Sequence, residues 1–498
     1  MAVWPKRPLI YEINTWVWLR ELSYTYGRSV SLADVPPTEW DAFASLGVDA
    51  VWLMGVWERS PVGIRIAMTN NALLADFRKA LPDFDLKDIV GSPYCVRRYV
   101  ADERLGGTEG LAAARLELAQ RGMRLILDYV PNHVAPDHIW ADEHPEYFIQ
   151  GTKENLKESP VVCLTVGDHL IACGRDPHYP AWPDVLQLNA FYPGLRHAAV
   201  ETIEEIASQC DGLRCDMAML VMNPIFERTW GELAGAKPDL EYWQEIIGKV
   251  KERYPDVLFI AEAYWDLEWE LMQQGFDYCY DKRLYDRLEH ENAKSVRLHL
   301  LADLSYQEKL VRFIENHDEP RAAVAFSPPE KERAAAIVTM TMPGAKLIQE
   351  GQLEGRRVRL PVFLGRSPQE PVDGRIKAFY QRMLQAIQTE AIRNGEWRLC
   401  AQSGWPDNQS QENLLAWCWR KNEERRIIVV NFSPGRSQGL VQVPWNELRG
   451  RKWRLKDVLS GQNFERNGNE MLHPGMYVDL EGWKVHFFEA VPENSGKS

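Results

Sequence analysis

Four short segments of the sequence run from apolar residues directly into an acidic side chain. The segments read LILDYVPNHV, DGLRCDMAML, LFIAEAYW and RFIENHDEP, and their acidic residues of interest are Asp128, Asp216, Glu262 and Asp318. Charged residues are seldom buried without a partner, so an apolar run that leads into a carboxylate is unusual for a solvated face. For one such residue, a structural carboxylate or a helix cap is as good an explanation as general acid–base chemistry. Four such segments together favour a catalytic site.

The elements that would position these carboxylates alternate along the chain. Short apolar, β-branched runs are separated by helix-like segments, which is the pattern of βα units in a parallel sheet. The eight runs are Leu9 to Ile13, Ala50 to Met54, Leu125 to Val130, Gly212 to Asp216, Leu258 to Glu262, Phe276 to Tyr280, Val311 to Glu315 and Lys346 to Gln349. Eight βα units predict a closed (β/α)8 TIM barrel, in which catalytic groups lie where the strands end.

Two further regions are predicted outside the barrel. A connection after the third strand is too long for a simple βα loop and contains strand-like pieces at Val161 to Val166 and Leu170 to Cys173, so it predicts an inserted subdomain. After a last helix at Phe379 to Thr389, short alternating segments joined by turns predict a C-terminal antiparallel β-sandwich. The expected domains are therefore the barrel at 1–130 and 190–392, the inserted subdomain at 131–189 and the sandwich at 393–498.

The four acidic segments, in this order, resemble the four short sequence regions of the α-amylase family, glycoside hydrolase family 13. The resemblance covers the barrel, the insertion and the sandwich. It implies that Asp216 is the nucleophile, Glu262 the general acid/base and Asp318 the carboxylate that binds sugar hydroxyls and stabilises the transition state. Arg214, two residues before Asp216 on the same strand face, would keep that carboxylate ionised and oriented.

The same resemblance extends to residues around these three. His133 and His317 would form hydrogen bonds with the sugar in subsite −1. Tyr94, in SPYCVRRY, matches a family tyrosine that stacks on this sugar, although a tyrosine packed in a loop would look the same. The remaining matches are expected to have structural roles: Asp128, Asn132 and Asp184.

Retaining cleavage explains why the site needs two carboxylates in different states. One attacks the anomeric carbon and the other, kept protonated, donates to the leaving oxygen, at a separation of about 5 to 5.5 Å. We therefore expect Asp216 to be paired with Arg214, and Glu262 to lie among negative or apolar neighbours that keep it neutral near pH 7.

No metal or cofactor is expected. Many calcium-binding amylases carry Lys-His shortly after the nucleophile, whereas this chain has Met219 and Leu220. Calcium needs several oxygen ligands, and Asn132 alone does not supply them. No His/Cys cluster offers another metal site, so calcium is disfavoured.

Composition restricts the partners and the location. The formal net charge of −13 would repel a polyphosphate backbone, which argues against nucleic acid. No stretch approaches the roughly 20 apolar residues of a membrane span. The eight cysteines include no C-x-x-C pair, and the N-terminal residues lack the apolar core of a secretory signal. We expect a cytoplasmic enzyme with reduced thiols that acts on an α-glucan or maltooligosaccharide; the oligomeric state stays open.

Three functions fit these motifs. Hydrolysis of α-glucosidic bonds is the main prediction. A maltosyl or glucosyl transferase would use the same covalent intermediate, intercepted by a sugar hydroxyl instead of water. A non-catalytic glucan-binding relative is also compatible with the fold, although all three carboxylates are present. Linkage and chain-length preference stay open.

Overall fold

The computed structural model describes residues 4–152 and 162–493. Eight strands form a closed parallel barrel in which each strand lies beside its neighbours in chain order. They are β1 (Leu9–Asn14), β2 (Ala50–Met54), β3 (Arg124–Tyr129), β4 (Gly212–Cys215), β5 (Leu258–Ala261), β6 (Tyr278–Tyr280), β7 (Leu310–Arg312) and β8 (Ala345–Gln349). Each of the eight predicted runs overlaps one of these strands, so the (β/α)8 TIM-barrel prediction is confirmed.

The barrel strands are buried on both faces. Every residue of β2, β3, β4 and β5 is buried, as expected for parallel strands that have helices outside and packed side chains inside. The longer helices that precede the C-terminal sheets are Thr15–Tyr26, Pro37–Ser45, Pro61–Thr69, Asn71–Ala80, Gly107–Gln120, Pro193–Gln209, Asn223–Trp230, Tyr242–Arg253, Lys282–His290, Pro329–Thr341 and Gly374–Ile387.

The register of β4 and β5 brings two strand ends to the same level. Cys215 pairs with Ala261 in a parallel ladder, and these are the last residues of the two strands. The next residues, Asp216 and Glu262, therefore leave the sheet side by side at the C-terminal ends of adjacent strands, where barrel enzymes carry their catalytic groups.

The chain divides into two compact units. The first contains Ile10–Tyr280 and Val358–Gln369, and the second contains Trp4–Leu9, Asp281–Arg357 and the chain from Glu370 onward. The predicted domain boundaries stay predictions.

Within the first unit, the segment between β3 and β4 contains two small antiparallel pairs. His133–Val134 pairs with Leu186–Gln187, and Cys163–Val166 pairs with His169–Ala172. Val161, where a strand was predicted to begin, lies outside the described residues. A separate core beneath these strands consists of Val134, Ala141, Phe148, Ile171, Leu186, Leu188 and Leu195.

Within the second unit, the C-terminal region contains a six-stranded and a three-stranded sheet. Their strands are Glu396–Leu399, Ala401–Ser403, Leu414–Lys421, Glu424–Asn431, Ser437–Gln442, Lys452–Asp457, Asn463–Asn467, Met476–Leu480 and Val485–Pro492. One hydrophobic core joins residues of both sheets, among them Ala416, Ile427, Val441 and Val478. The predicted antiparallel β-sandwich is therefore present.

Candidate active site

The guanidinium of Arg214 lies between the two candidate catalytic carboxylates. Its Nη1 donates to Oδ1 of Asp216 at 2.7 Å, and its Nη2 lies 2.9 Å from Oε2 of Glu262. Nη1 also lies 3.6 Å from Oδ1 of Asp128. Arg214 is 1% exposed, so this one cation faces three carboxylates in a buried site.

Three aromatic rings surround the same guanidinium. The ring centroids of Trp52, Tyr94 and Tyr280 lie 5.2, 5.2 and 5.7 Å from its central carbon, within the range of cation–π attraction. Burial opposes the charged form of Arg214, but the negative charges of Glu262 and Asp216 outweigh it and raise the pKa of the guanidinium well above its usual value. Arg214 is therefore a permanent cation at this site.

The surroundings of Glu262 differ from the sequence expectation. Glu262 was expected among negative or apolar neighbours, yet Oε2 lies beside Arg214 and also accepts the backbone N–H of Met217 at 2.6 Å. The hydroxyl of Tyr264 donates to Oε1 at 2.9 Å. The expected negative neighbours are present, because Asp128 and Asp216 face the same guanidinium. The sequence expectation omitted Arg214, whose Nη2 makes an ion contact with Glu262 that lacks hydrogen-bond geometry.

The backbone after Asp216 turns so that it can contact Glu262. The N–H of Asp216 donates to the carbonyl of Tyr129 at 2.8 Å, which continues the barrel ladder. Met217 then adopts the left-handed conformation, with φ 42° and ψ 45°, which costs about 1–3 kcal/mol in a residue that is not glycine. This turn aims the N–H of Met217 at Glu262.

Asp128 supports the floor of the site. Its Oδ2 accepts the indole N–H of Trp52 at 3.1 Å, and its carbonyl accepts that of Trp57 at 2.7 Å. Because the Trp52 ring packs against the guanidinium of Arg214, Asp128 fixes a wall of the arginine's pocket.

Tyr94 and His133 are linked to each other and to the arginine cluster. The imidazole of His133 forms a hydrogen bond with the backbone of Tyr94, and burial lowers the pKa of His133 to about 4. A neutral imidazole at pH 7 has one donor and one acceptor nitrogen, which suits hydrogen bonding to a sugar hydroxyl. The structure therefore brings Tyr94 and His133 to the neighbourhood of Arg214.

Asn132 and Gln187 join the start of the inserted segment to its end. The amide of Gln187 donates to the carbonyl and to Oδ1 of Asn132 at 3.0 and 2.9 Å, and both residues are buried. Among the described residues, no group of three or more His, Cys, Asp or Glu side chains could hold a metal ion. The predicted independence from calcium stays a prediction.

Asp184 lies behind the loop that carries Tyr94. Its backbone carbonyl accepts a hydrogen bond from the Cys95 thiol at 3.1 Å, and burial raises the pKa of its carboxyl group. Its contact with Cys95, the residue after Tyr94, is compatible with the predicted structural role.

His317 and Asp318 lie in the second unit, in the loop that follows β7. His317 is buried, and its Nε2 lies 3.0 Å from Oδ2 of Asp318, whose side chain is 43% exposed. Oδ1 of Asn316 accepts the N–H groups of Asp318 and Glu319 at 3.0 and 2.9 Å. The joining of His317 and Asp318 to the Arg214 cluster stays a prediction.

Four contributors to this cluster were not identified from the sequence. They are the Tyr264 hydroxyl, the Met217 N–H and the rings of Trp52 and Tyr280. Tyr264 and Tyr280 carried a usable signal, because each is a polar aromatic residue at or just after the end of a barrel strand. The Met217 contact depends on a backbone turn, and the residue type at this position does not indicate that turn.

Comparisons with known proteins find relatives named as α-amylases and as maltosyltransferases. No family model matches the chain. Over 439 residues it is 25% identical to the α-amylase MalA of Haloarcula japonica, covering 86% of this chain and 56% of that protein. Over 245 residues it is 27% identical to an α-1,4-glucan:maltose-1-phosphate maltosyltransferase of Rhodospirillum rubrum, covering 46% of this chain and 29% of that protein.

A solved structure extends the likeness over the fold. The noncanonic maltogenic α-amylase AmyB of Thermotoga neapolitana superposes with a TM-score of 0.68 at 18% identity, covering 98% of this chain and 99% of that one. The chain is similar in sequence to curated α-amylases and has the fold of a solved one. The solved structure and this chain thus share one fold, and the chain spans little more than half the length of its Haloarcula relative.

Replacing Arg214 tests how far this site depends on one cation. Arg214→Met should lower the free energy of unfolding at pH 8 by about 3–5 kcal/mol, because Asp216 and Glu262 would be buried without their counter-ion. In the variant these carboxylates bind protons more tightly in the folded state than in the unfolded state, so its free energy of unfolding falls as pH rises. The difference in stability from wild type should therefore be smaller at pH 5 than at pH 8.

Thermal unfolding at both pH values measures this deficit. Arg214→Lys is the matched control, since it keeps the charge and loses only the forked geometry. Equal stability of Arg214→Met and Arg214→Lys at pH 8 would contradict the role given to the charge.

Proposed function

We propose that the protein is a retaining glycosidase that cleaves α-glucosidic bonds of α-glucans or maltooligosaccharides. The observation that carries this proposal is the shared guanidinium of Arg214, which faces Asp216 and Glu262 at the ends of adjacent barrel strands. Two carboxylates held by one guanidinium leave little room for a water molecule between them. This favours the shorter carboxylate separation of retaining enzymes over the longer one of inverting enzymes.

In the first step of the proposed reaction, Asp216 attacks the anomeric carbon and forms a covalent ester with the sugar. The glycosidic bond breaks, and Glu262 gives its proton to the departing oxygen. In the second step, the Glu262 carboxylate takes a proton from water, whose oxygen attacks the anomeric carbon and releases Asp216. Arg214 stays charged throughout and stabilises whichever carboxylate is ionised.

The contacts of Glu262 support a particular position for its proton. Oε2 faces two donors, Arg214 and the N–H of Met217, so it suits the unprotonated oxygen. Oε1 instead contacts the hydroxyl of Tyr264, and a hydroxyl can accept as well as donate. We infer that Oε1 carries the proton that is transferred.

One cation among three carboxylates supports the presence of that proton. Arg214 supplies one positive charge, whereas Asp128, Asp216 and Glu262 would together carry three negative charges in a buried site. Close carboxylates do not all ionise freely. A proton on Glu262 lowers this excess. When Asp216 forms the ester and Glu262 gives up its proton, one negative charge moves from Asp216 to Glu262 and the excess does not grow.

His317, Asp318, His133 and Tyr94 are proposed to bind the sugar. Asp318 would stabilise the transition state, and its contact with His317 at 3.0 Å restricts its orientation. His133, neutral at pH 7 because burial lowers its pKa, would share a hydrogen bond with a sugar hydroxyl. Tyr94 would stack on the sugar above Arg214.

The named relatives support an α-glucan substrate. They include an α-amylase and a maltosyltransferase, and one solved α-amylase of the same fold, from Geobacillus thermoleovorans, was crystallised with acarbose. Among the described residues, no helix is long and apolar enough to cross a membrane. A cytoplasmic location is part of the proposal, supported by eight cysteines that are all free thiols.

Transglycosylation is the second candidate, favoured by the local similarity to a maltosyltransferase. The loop after Glu262 supports transfer, because an exposed aromatic ring near that carboxylate can stack on an acceptor sugar. Trp265, three residues after Glu262, is 37% exposed, and its ring centroid lies 4.9 Å from that of His178. Incubation with a single maltooligosaccharide distinguishes the two reactions. A hydrolase yields only shorter products, and a transferase also yields longer ones.

Removing either catalytic carboxylate should abolish turnover. Asp216→Asn and Glu262→Gln nearly preserve size, so each should fold while losing at least about a hundredfold in kcat on maltooligosaccharides. Asp277→Asn is the matched control, because Asp277 precedes β6 at the opposite end of the barrel and pairs with Lys251. Either active-site variant keeping more than about a tenth of wild-type activity would contradict the assignment.

Metal removal should leave turnover unchanged. The proposed chemistry uses only side chains and the arginine charge, so dialysis against EDTA is expected to have no effect on kcat. Loss of activity that Ca²⁺ restores would refute this.

The first product released should have the α configuration. Each displacement at the anomeric carbon inverts it, and two displacements restore the starting configuration. Proton NMR recorded before mutarotation measures the anomer directly, for hydrolysis and transfer alike. Early β-anomer would overturn the role of Asp216 as nucleophile.

A further inference from the structure

The loop that carries His317 and Asp318 is closed by a buried ion pair. Glu315, 1% exposed, accepts from Nη1 of Arg321 at 2.7 Å and from the N–H of Ala322 at 2.6 Å. Residues 316–320 therefore form a short loop between two bonded ends. We call the Glu315–Arg321 pair the brace of this loop.

Arg321 ties the brace to the following barrel strand. Its Nη1 also donates to Oε1 of Gln349, the last residue of β8, at 2.6 Å, and its Nη2 donates to the carbonyl of Glu350 at 2.8 Å. Asn316 fixes the internal conformation of the loop. The brace fixes where the loop sits on the second unit.

A second buried carboxylate lies behind the brace. Glu332, on the helix Pro329–Thr341, is 2% exposed. Its Oε1 has no hydrogen-bond partner in the part of the chain that the structure describes. Tyr380 lies beside the Glu332 side chain, and the hydroxyl of Tyr380 accepts the amide of Gln352 at 2.9 Å.

The charges that face Glu332 are mostly negative. Glu315 faces it from the loop after β7, and Asp373 faces it from the start of the helix Gly374–Ile387. Arg333 on its own helix is the cation among these neighbours, and its guanidinium donates to Glu330 at 2.6 Å. Arg321, the nearest cation on the loop, is committed to Glu315. An ionised Glu332 would therefore have no dedicated counter-ion.

Protonation of Glu332 falls in the physiological range. Burial, helped by the charge of Glu315, raises the pKa of Glu332 to about 7. Glu332 is thus mostly neutral at pH 6 and mostly ionised at pH 8. Its ionisation adds a second negative charge beside Glu315, while Arg321 and Arg333 are already paired with Glu315 and Glu330.

We propose that Glu332 is a positioning residue for the Asp318 loop: neutral Glu332 leaves the brace intact, and ionised Glu332 repels Glu315 and loosens the loop. Asp318 acts as the transition-state carboxylate only in the proposed function, so the catalytic consequence rests on that function. The effect on the loop itself does not.

Two consequences follow for the wild-type protein. Protection of the backbone amides of residues 313–322 from hydrogen exchange falls between pH 6 and pH 8, after correction for intrinsic exchange rates. Loosening of the loop also lowers turnover between pH 6 and pH 8. This decrease appears in kcat more than in KM, because Asp318 acts in the transition state.

Glu332→Gln tests both, since glutamine has the size of the neutral acid and does not ionise. The variant is expected to keep its loop protection at pH 8 and to show a ratio of kcat at pH 8 to kcat at pH 6 at least about threefold above that of wild type. Glu330→Gln is the matched control, two residues earlier on the same helix and partly exposed, and should behave as wild type.

The two measurements fail separately. If wild-type loop protection is the same at pH 6 and pH 8, or if it falls equally in Glu332→Gln, the proposal is overturned whatever the activity. If protection behaves as expected and the protein turns over no α-glucan at any pH, the positioning device stands and the proposed function fails. A purely structural Glu332 would shift the thermal midpoint of Glu332→Gln and leave both pH profiles superimposable on wild type.

Discussion

The charge of Arg214 is the constraint on which the catalytic end of the first unit depends. One buried guanidinium holds Asp216 and Glu262 within 2.7 and 2.9 Å of its nitrogens, and the desolvation of all three groups is tolerable only because they compensate one another. The rings of Trp52, Tyr94 and Tyr280 exclude water around it. Asp128 in turn holds the Trp52 ring. These contacts make the arginine the centre of the site.

Barrel geometry makes this sharing possible. The equal level of β4 and β5 places Asp216 and Glu262 side by side, and the left-handed backbone of Met217 adds a donor aimed at Glu262. A strained residue at this point is retained where surrounding contacts determine it. Oε2 of Glu262 faces N–H groups and Oε1 contacts the Tyr264 hydroxyl, so the two oxygens of this carboxylate have chemically different neighbours. The acid/base role proposed for Glu262 uses this difference.

Apolar runs predicted all eight strands, because parallel strands buried on both faces read as continuous hydrophobic segments. The closeness of Asp216 and Glu262 followed from their positions at adjacent strand ends. The shared arginine did not, because sequence spacing gives the strand face of Arg214 but not how far its side chain reaches across to β5. Glu332 lies in the first turn of its helix, where acidic residues are common, and only the fold shows that it is buried. The local sequence pattern predicts strands and helices. Which side chains contact each other across them is seen only in the folded structure.

Trapping the glycosyl intermediate tests most directly whether the carboxylate held by Arg214 is the nucleophile. In the Glu262→Gln variant, Asp216 should still attack the anomeric carbon of an α-maltosyl fluoride, because fluoride leaves without a proton donor. The missing base should slow release of the sugar from Asp216. The account predicts a maltosyl adduct in the intact-protein mass spectrum, mapped by peptide analysis to Asp216. An adduct on another residue, or fluoride release at the wild-type rate with no adduct, would contradict it.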